Sequence, residues 1–172
     1  MRRTRVPLLV TSLLLLSVAL PVTTVAGPFL HQIFGRITGE MRSLHDLNRA
    51  NLYIDRMPGE LTELGVDVTR IREDLIARLA RNGIKIVEDP EAPVMRLQVL
   101  LTEDPQRIVF CYRLRIFQEA RVIRTKEVLT VPTYDHVVFG LTDRDNAKEQ
   151  ARDAAAMIVD EFLVDWHRVR KK

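Results

Sequence analysis

The sequence predicts an α+β fold: a two-layer sandwich with a mainly antiparallel sheet of about four to five strands and two helices on one face. Three observations lead there. Residues 69–81 carry one apolar stripe at helical spacing. Residues 94–131 hold three alternating runs separated by short turns. Residues 143–168 form a second, longer amphipathic stretch. Strands gathered on one side and helices on the other bury each other's apolar faces, which gives two layers.

In order along the chain, the N-terminal segment comes first. Arg2, Arg3 and Arg5 precede an apolar run from Val6 to Leu20, and Pro21 and small or β-branched residues lead to Ala26. A basic start, an apolar middle and a small-residue end describe a secretory signal peptide over 1–26. The alternative is an uncleaved anchor, since Val6 to Ala26 just reaches the roughly 20 residues that span a bilayer. Either way the predicted destination is the periplasm or the extracellular space, with membrane contact only through 1–26 if they are retained. The lone cysteine, Cys111, is far from this region, so a lipid anchor of the bacterial lipoprotein type is not expected.

Charge follows from that segment. The chain has 26 Lys+Arg against 23 Asp+Glu. Removing 1–26 takes away three Arg and no acids, leaving 23 of each. A nucleic-acid binder carries a basic patch or stripe, so near-neutrality together with export excludes a nucleic-acid partner. One cysteine allows no internal disulfide, and the remaining chain is long enough for one compact domain held by its core alone.

Residues 27–46 are a loose or partly helical lead-in, with Phe29, Ile33, Ile37, Met41 and Leu44 at helix-like spacing. A single domain is expected over 47–172. "LYI" at 52–54 is β-prone, and 57–65 read as a loop punctuated by Pro58, Gly59 and Gly65. Thr69 is the expected N-cap of the first helix, whose stripe is Ile71, Leu75, Ile76 and Leu79. Asn82-Gly83 ends it, and "IKIV" at 84–87 is a strand.

Strands are then expected at 94–102, 107–118 and 121–131, the last two joined at Glu119-Ala120. Such closely spaced strands pair antiparallel, because parallel pairing needs a long crossover. Pro132 is expected to end the third ladder. Residues 132–141 read as a loop or a short strand at 136–139. Thr142 with Asp145 resembles a capping box for the last helix. Ala147, Ala151, Ala154, Ile158, Phe162 and either Leu163 or Trp166 line that helix's apolar face.

Few residues carry recognisable chemistry. Gly-rich phosphate loops, GxSxG, HExxH, CxxC and EF-hand patterns do not occur. His31, His45, His136 and His167 are far apart in sequence. No cofactor, metal site or catalytic residue is assigned, and the chain is not expected to be an enzyme. The most site-like pair is Asp135-His136, placed in an irregular stretch near Tyr134, Asp143 and Asp145; an enzyme with an unrecognised constellation would use it. Cys111 lies mid-strand between aromatics, as a structural thiol does. Arg96, Arg113, Arg115, Arg124 and Lys126 fall on the strand faces opposite the large apolar residues, so neighbouring strands would gather them into one basic face. That face is either solvated or a docking surface for an anionic partner, such as an acidic envelope protein, a polysaccharide or a lipid head group.

The stretch "VTRIREDLIARLARNGIKIVEDPEAPVMRLQVLL" and the final "AKEQARDAAAMIVDEFLVDW" resemble an uncharacterised family of small exported bacterial proteins over about 47–168. The order of elements is also similar to that of the lipopolysaccharide-assembly lipoprotein and of the N-terminal domain of the translocation protein TolB. The resemblance implies a non-enzymatic envelope part that works by binding proteins or lipids, and it carries no catalytic residue across. A carrier with a pocket between sheet and helices is the other non-enzymatic reading.

Overall fold

The computed structural model describes residues 37–103 and 107–171. The signal or anchor at 1–26, and 27–36 of the lead-in, lie outside the described residues. The described chain begins with a single helical turn, α1 (Gly39–Arg42), capped by Thr38 Oγ1, which accepts from Met41 N at 3.2 Å. Met41 and Leu44 are buried in the same core as the rest of the fold.

Strand β1 (Arg49–Ile54) follows, and then α2 (Gly59–Glu63), a one-turn helix inside the expected loop. Its inward residue, Leu61, is fully buried, which explains the turn better than propensity does. Helix α3 (Val68–Arg81) is capped by Asp67, not Thr69. The Asp67 carboxylate accepts from Thr69 N at 2.9 Å and Arg70 N at 3.3 Å. An extended Asp two residues earlier satisfies two of the helix's orphan donors at once. The C-terminus closes as expected: Gly83 has φ +89°, and Ile84 N donates to Leu79 O at 3.0 Å.

Strand β2 (Lys85–Ile86) is shorter than the expected 84–87. The chain leaves the sheet because Asn51, from β1, binds the next turn. Its Oδ1 accepts from Asp89 N at 2.9 Å and its Nδ2 donates to Asp89 O at 2.6 Å. Strands β3 (Val94–Glu103), β4 (Arg107–Arg121) and β5 (Val128–Asp143) complete one open sheet in the order β2-β1-β3-β4-β5. Strand β1 runs parallel to β2 and β3, while β3–β4 and β4–β5 are antiparallel.

Four expectations in this part are corrected. The β4–β5 turn lies at 122–127 rather than at Glu119-Ala120; Val122 N donates to Glu127 O at 2.8 Å. Pro132 does not end the ladder. It stands opposite Phe117 beside a register shift, on an edge strand, where a missing N–H costs nothing. Residues 132–141 are neither loop nor short strand but the middle of β5. The expected capping box is also absent: Arg144–Asn146 form a 3₁₀ turn, and Thr142 Oγ1 donates to Asp143 O at 3.2 Å.

Helix α4 (Ala147–Arg170) buries Ala147, Ala151, Ala154, Ile158, Phe162, Leu163 and Trp166. It packs on β4, β5 and α3. Along β3, β4 and β5 the buried residues alternate: Met95, Leu97, Val99; Phe110, Tyr112, Leu114; Tyr134, His136, Val138. The positions between them are half-buried or exposed, so the helices cover one face of the sheet. Among the described residues no helix is long and apolar enough to cross a membrane.

Candidate functional site

The other, outer face of the sheet is where the candidate residues meet. Pairing register fixes its rows. One row runs Tyr53, Arg96, Arg115, Asp135 across β1, β3, β4 and β5. The next runs Gln98, Arg113, Val137, and the one after it Leu100, Cys111, Phe139. A fourth runs Thr102, Val109, Leu141. Arg96, Arg113 and Arg115 therefore do gather on one face. Arg124 and Lys126 do not: they sit in the β4–β5 turn, where Lys126 has φ +64°. Two-residue alternation fails for them because the strand ends at Arg121 and resumes at Val128.

Each arginine of the face has a partner of its own. Arg96 Nε donates to Asp55 Oδ1 at 2.7 Å. Arg113 forms a two-pronged pair with Asp135, its Nε donating to Oδ1 at 2.8 Å. Both guanidinium pKa values are pushed up by these hydrogen bonds and by the carboxylate charges. Arg115 Nη2 donates to Gln98 Oε1 at 3.1 Å, and its guanidinium lies 5.4 Å from the Phe117 ring centre. Counting Asp55 and Asp135 against the three arginines leaves one net positive charge, not a strongly basic face.

Beside these arginines lies an apolar patch that sequence reasoning missed. Leu100 is 51% exposed, Val109 37%, Phe139 64% and Leu141 61%. The signal was present in consecutive apolar residues: Leu100-Leu101, Val109-Phe110 and Val138-Phe139. Consecutive apolar residues on a strand put apolar side chains on both faces, and only one face here is covered.

The Asp135-His136 pair is split by the sheet. Asp135 points to the outer face and Arg113, whereas His136 is buried toward α4, within hydrogen-bond reach of Glu161. Tyr134, on the same side as His136, donates its hydroxyl to Asp165 Oδ2 at 3.1 Å. Burial pushes the Tyr134 pKa up, helped by the Asp165 carboxylate. The two pairs tie β5 to α4. Asp143 and Asp145 lie at the far end of the strand and in the following turn, away from Tyr134 along β5. The loop in which these residues were expected to meet does not exist. Cys111 is half-buried on the outer face, and desolvation pushes its pKa up, against the smaller opposing pull of Arg113. A raised pKa is the wrong direction for a nucleophilic thiol.

Among the described residues no group of three or more metal-ligating side chains converges. The space between sheet and helices is filled by Phe110, Tyr112, Phe162 and Trp166, all fully buried. A cleft of about 410 Å³ opens beyond the end of β2, lined by Asn51, Tyr53, Arg72, Glu88 and Asp89. Arg72 Nη1 there donates to Leu52 O at 2.7 Å, capping a β1 carbonyl where β2 has ended.

Solved structures similar to this chain include two from bacteria. A minor lipoprotein from Acinetobacter baumannii is 12% identical, with a TM-score of 0.37 over 71% of this chain and 95% of that one. A hypothetical protein from Chlamydia trachomatis is 13% identical, with a TM-score of 0.41 over 69% of this chain and 96% of that one. No protein-family profile and no curated protein matches the sequence.

Proposed function

We propose that this chain is an exported, non-enzymatic accessory domain of the bacterial envelope that holds a partner protein on the outer face of its sheet. One observation carries the reading: that face presents the contiguous apolar residues Leu100, Val109, Phe139 and Leu141 beside the arginine row. Contiguous exposed apolar surface with a polar rim is characteristic of contact sites. The rim here supplies guanidinium groups already oriented by Asp55, Asp135 and Gln98. Such groups are rigid donors rather than loose charges, and they suit a protein surface with acceptors at fixed positions. The filled space between sheet and helices favours this reading over a lipid or small-ligand carrier.

The test is a photoreactive amino acid placed in living cells at Leu100, at the centre of the face, and separately at Val164, which is exposed on α4. A defined protein adduct at Leu100 and none at Val164 is expected. Equal adducts at both positions, or lipid adducts alone, would overturn the reading.

A further inference from the structure

Strand β5 is the last strand of the sheet, and its two halves are built differently. The first half carries the devices that keep an edge from pairing. Pro132 and a register shift break its regularity, and Ser43 Oγ donates to Thr133 O at 3.1 Å. From His136 to Thr142 the strand has no proline and no Asp, Glu, Lys or Arg. Among the described residues no strand pairs with its outer edge. The same segment supplies Phe139 and Leu141 to the exposed apolar patch.

We infer that a second copy of this chain occupies this edge, the two β5 strands pairing antiparallel about Phe139 so that one sheet runs through both copies. The register follows from the side chains. Val137, Phe139 and Leu141 point to the outer face. Centred on Phe139, antiparallel pairing sets Phe139 against Phe139 and Val137 against Leu141 of the second copy. On the helix-covered face it sets Val138 against Gly140, a large residue against the smallest. Moving the register by two residues one way puts Asp143 opposite Val137. Moving it two the other way puts Asp135 opposite Leu141. Of these arrangements, only the Phe139-centred one matches apolar with apolar on the outer face from Val137 to Leu141, and cross-strand pairs of this kind are what select register. At the ends it brings Asp135 of one copy to Asp143 of the other. Asp135 is already neutralised by Arg113, and Asp143 stands opposite Arg107 on β4. A short strand edge buries less than the roughly 800 Å² per partner of a standard interface, so the association is a weak one.

This inference shares the outer face with the proposed function, yet the two fail separately. The exported chain is examined by sedimentation from about 1 µM to about 300 µM, the range of weak association. A reversible dimer is expected, and Phe139→Lys weakens it by about tenfold or more, because charge on an edge blocks pairing. Register is read by short thiol crosslinking in a Cys111→Ser background. Phe139→Cys links to itself, and Val137→Cys links to Leu141→Cys in mixed samples, while Val137→Cys alone does not. These exposed or half-exposed positions tolerate change, and the cysteine series decides even if Phe139→Lys fails to fold. A monomer throughout the range overturns the inference, as does Val137 linking to itself. A monomer that still gives a protein adduct at Leu100 leaves the proposed function standing alone. A dimer with no other adduct does the reverse.

Discussion

Arg96 on β3 and Arg115 on β4 stand directly opposite each other in the antiparallel ladder, two like charges at one register position on the outer face. Like charges so placed destabilise a sheet. The fold answers with Asp55 on Arg96 and Gln98 on Arg115. Asp55→Asn removes the carboxylate while keeping the shape, and leaves Arg96 facing Arg115 without its own counter-charge. The variant is expected to melt at a lower temperature than the parent. Since this is exposed electrostatics, the difference shrinks as salt is added. A difference that does not change with salt would mean that Asp55 acts through packing.

Tyr112 is fully buried, and its hydroxyl has no hydrogen-bond partner among the described residues. A buried polar group left unpaired costs free energy that an apolar isostere does not. Tyr112→Phe is therefore expected to raise stability by about 1 kcal/mol, read as a higher urea midpoint with unchanged slope. A loss of stability would show that the hydroxyl has a partner such as an internal water.

The two tyrosines of the core also set an alkaline limit. Burial pushes the pKa values of Tyr112 and Tyr134 up from an ordinary value near 10. A group that holds its proton more tightly in the folded chain contributes in full below the unfolded pKa. That contribution is lost as pH rises from about 10 toward the shifted folded values, at up to about 1.4 kcal/mol per pH unit for each tyrosine. The urea midpoint should fall steeply above pH 10, and less steeply in the Tyr112→Phe, Tyr134→Phe double variant. Equal slopes would assign the alkaline loss to other groups.

Much of the fold was legible because local chemistry and tertiary demand agree there. The stripe Ile71, Leu75, Leu79 and the Asn82-Gly83 stop define α3, and Ala147 to Trp166 define α4. What was misread lies where a long-range contact overrides local preference. Pro132 and Gly140 are strand breakers in isolation, yet both sit within β5, because Pro132 lies on an edge and Gly140 lies against an aromatic ring. Arg96, Arg113 and Arg115 share one face, as their strand alternation suggested, because they lie inside strands with one continuous period. Arg124 and Lys126 do not join it, because they lie in the β4–β5 turn itself, where no strand period applies. The acids that neutralise the face were not legible. Asp55 follows β1 and Asp135 is on β5, and neither adjoins its arginine in sequence.

Gly140 and Phe110 show the same override in a form that can be measured. They are register partners on β4 and β5, and a Cβ placed on Gly140 would lie 2.1 Å from Phe110 Cε2. The ring fills the space where a side chain would stand. It is fully buried beneath α4's layer, with Tyr112 5.8 Å away edge-on, so it has little room to withdraw. Gly140→Ala should therefore cost about 1–3 kcal/mol through overpacking, although alanine suits a strand no worse than glycine. Phe110→Leu alone should also destabilise, by loss of buried ring surface. Combined with Gly140→Ala it should cost less than the sum of the two, because the smaller side chain makes way for the new methyl group. A double-mutant cycle in urea reads that coupling, expected at about 0.5 kcal/mol or more. Strict additivity would mean that the strand backbone, not the ring, makes Gly140 necessary.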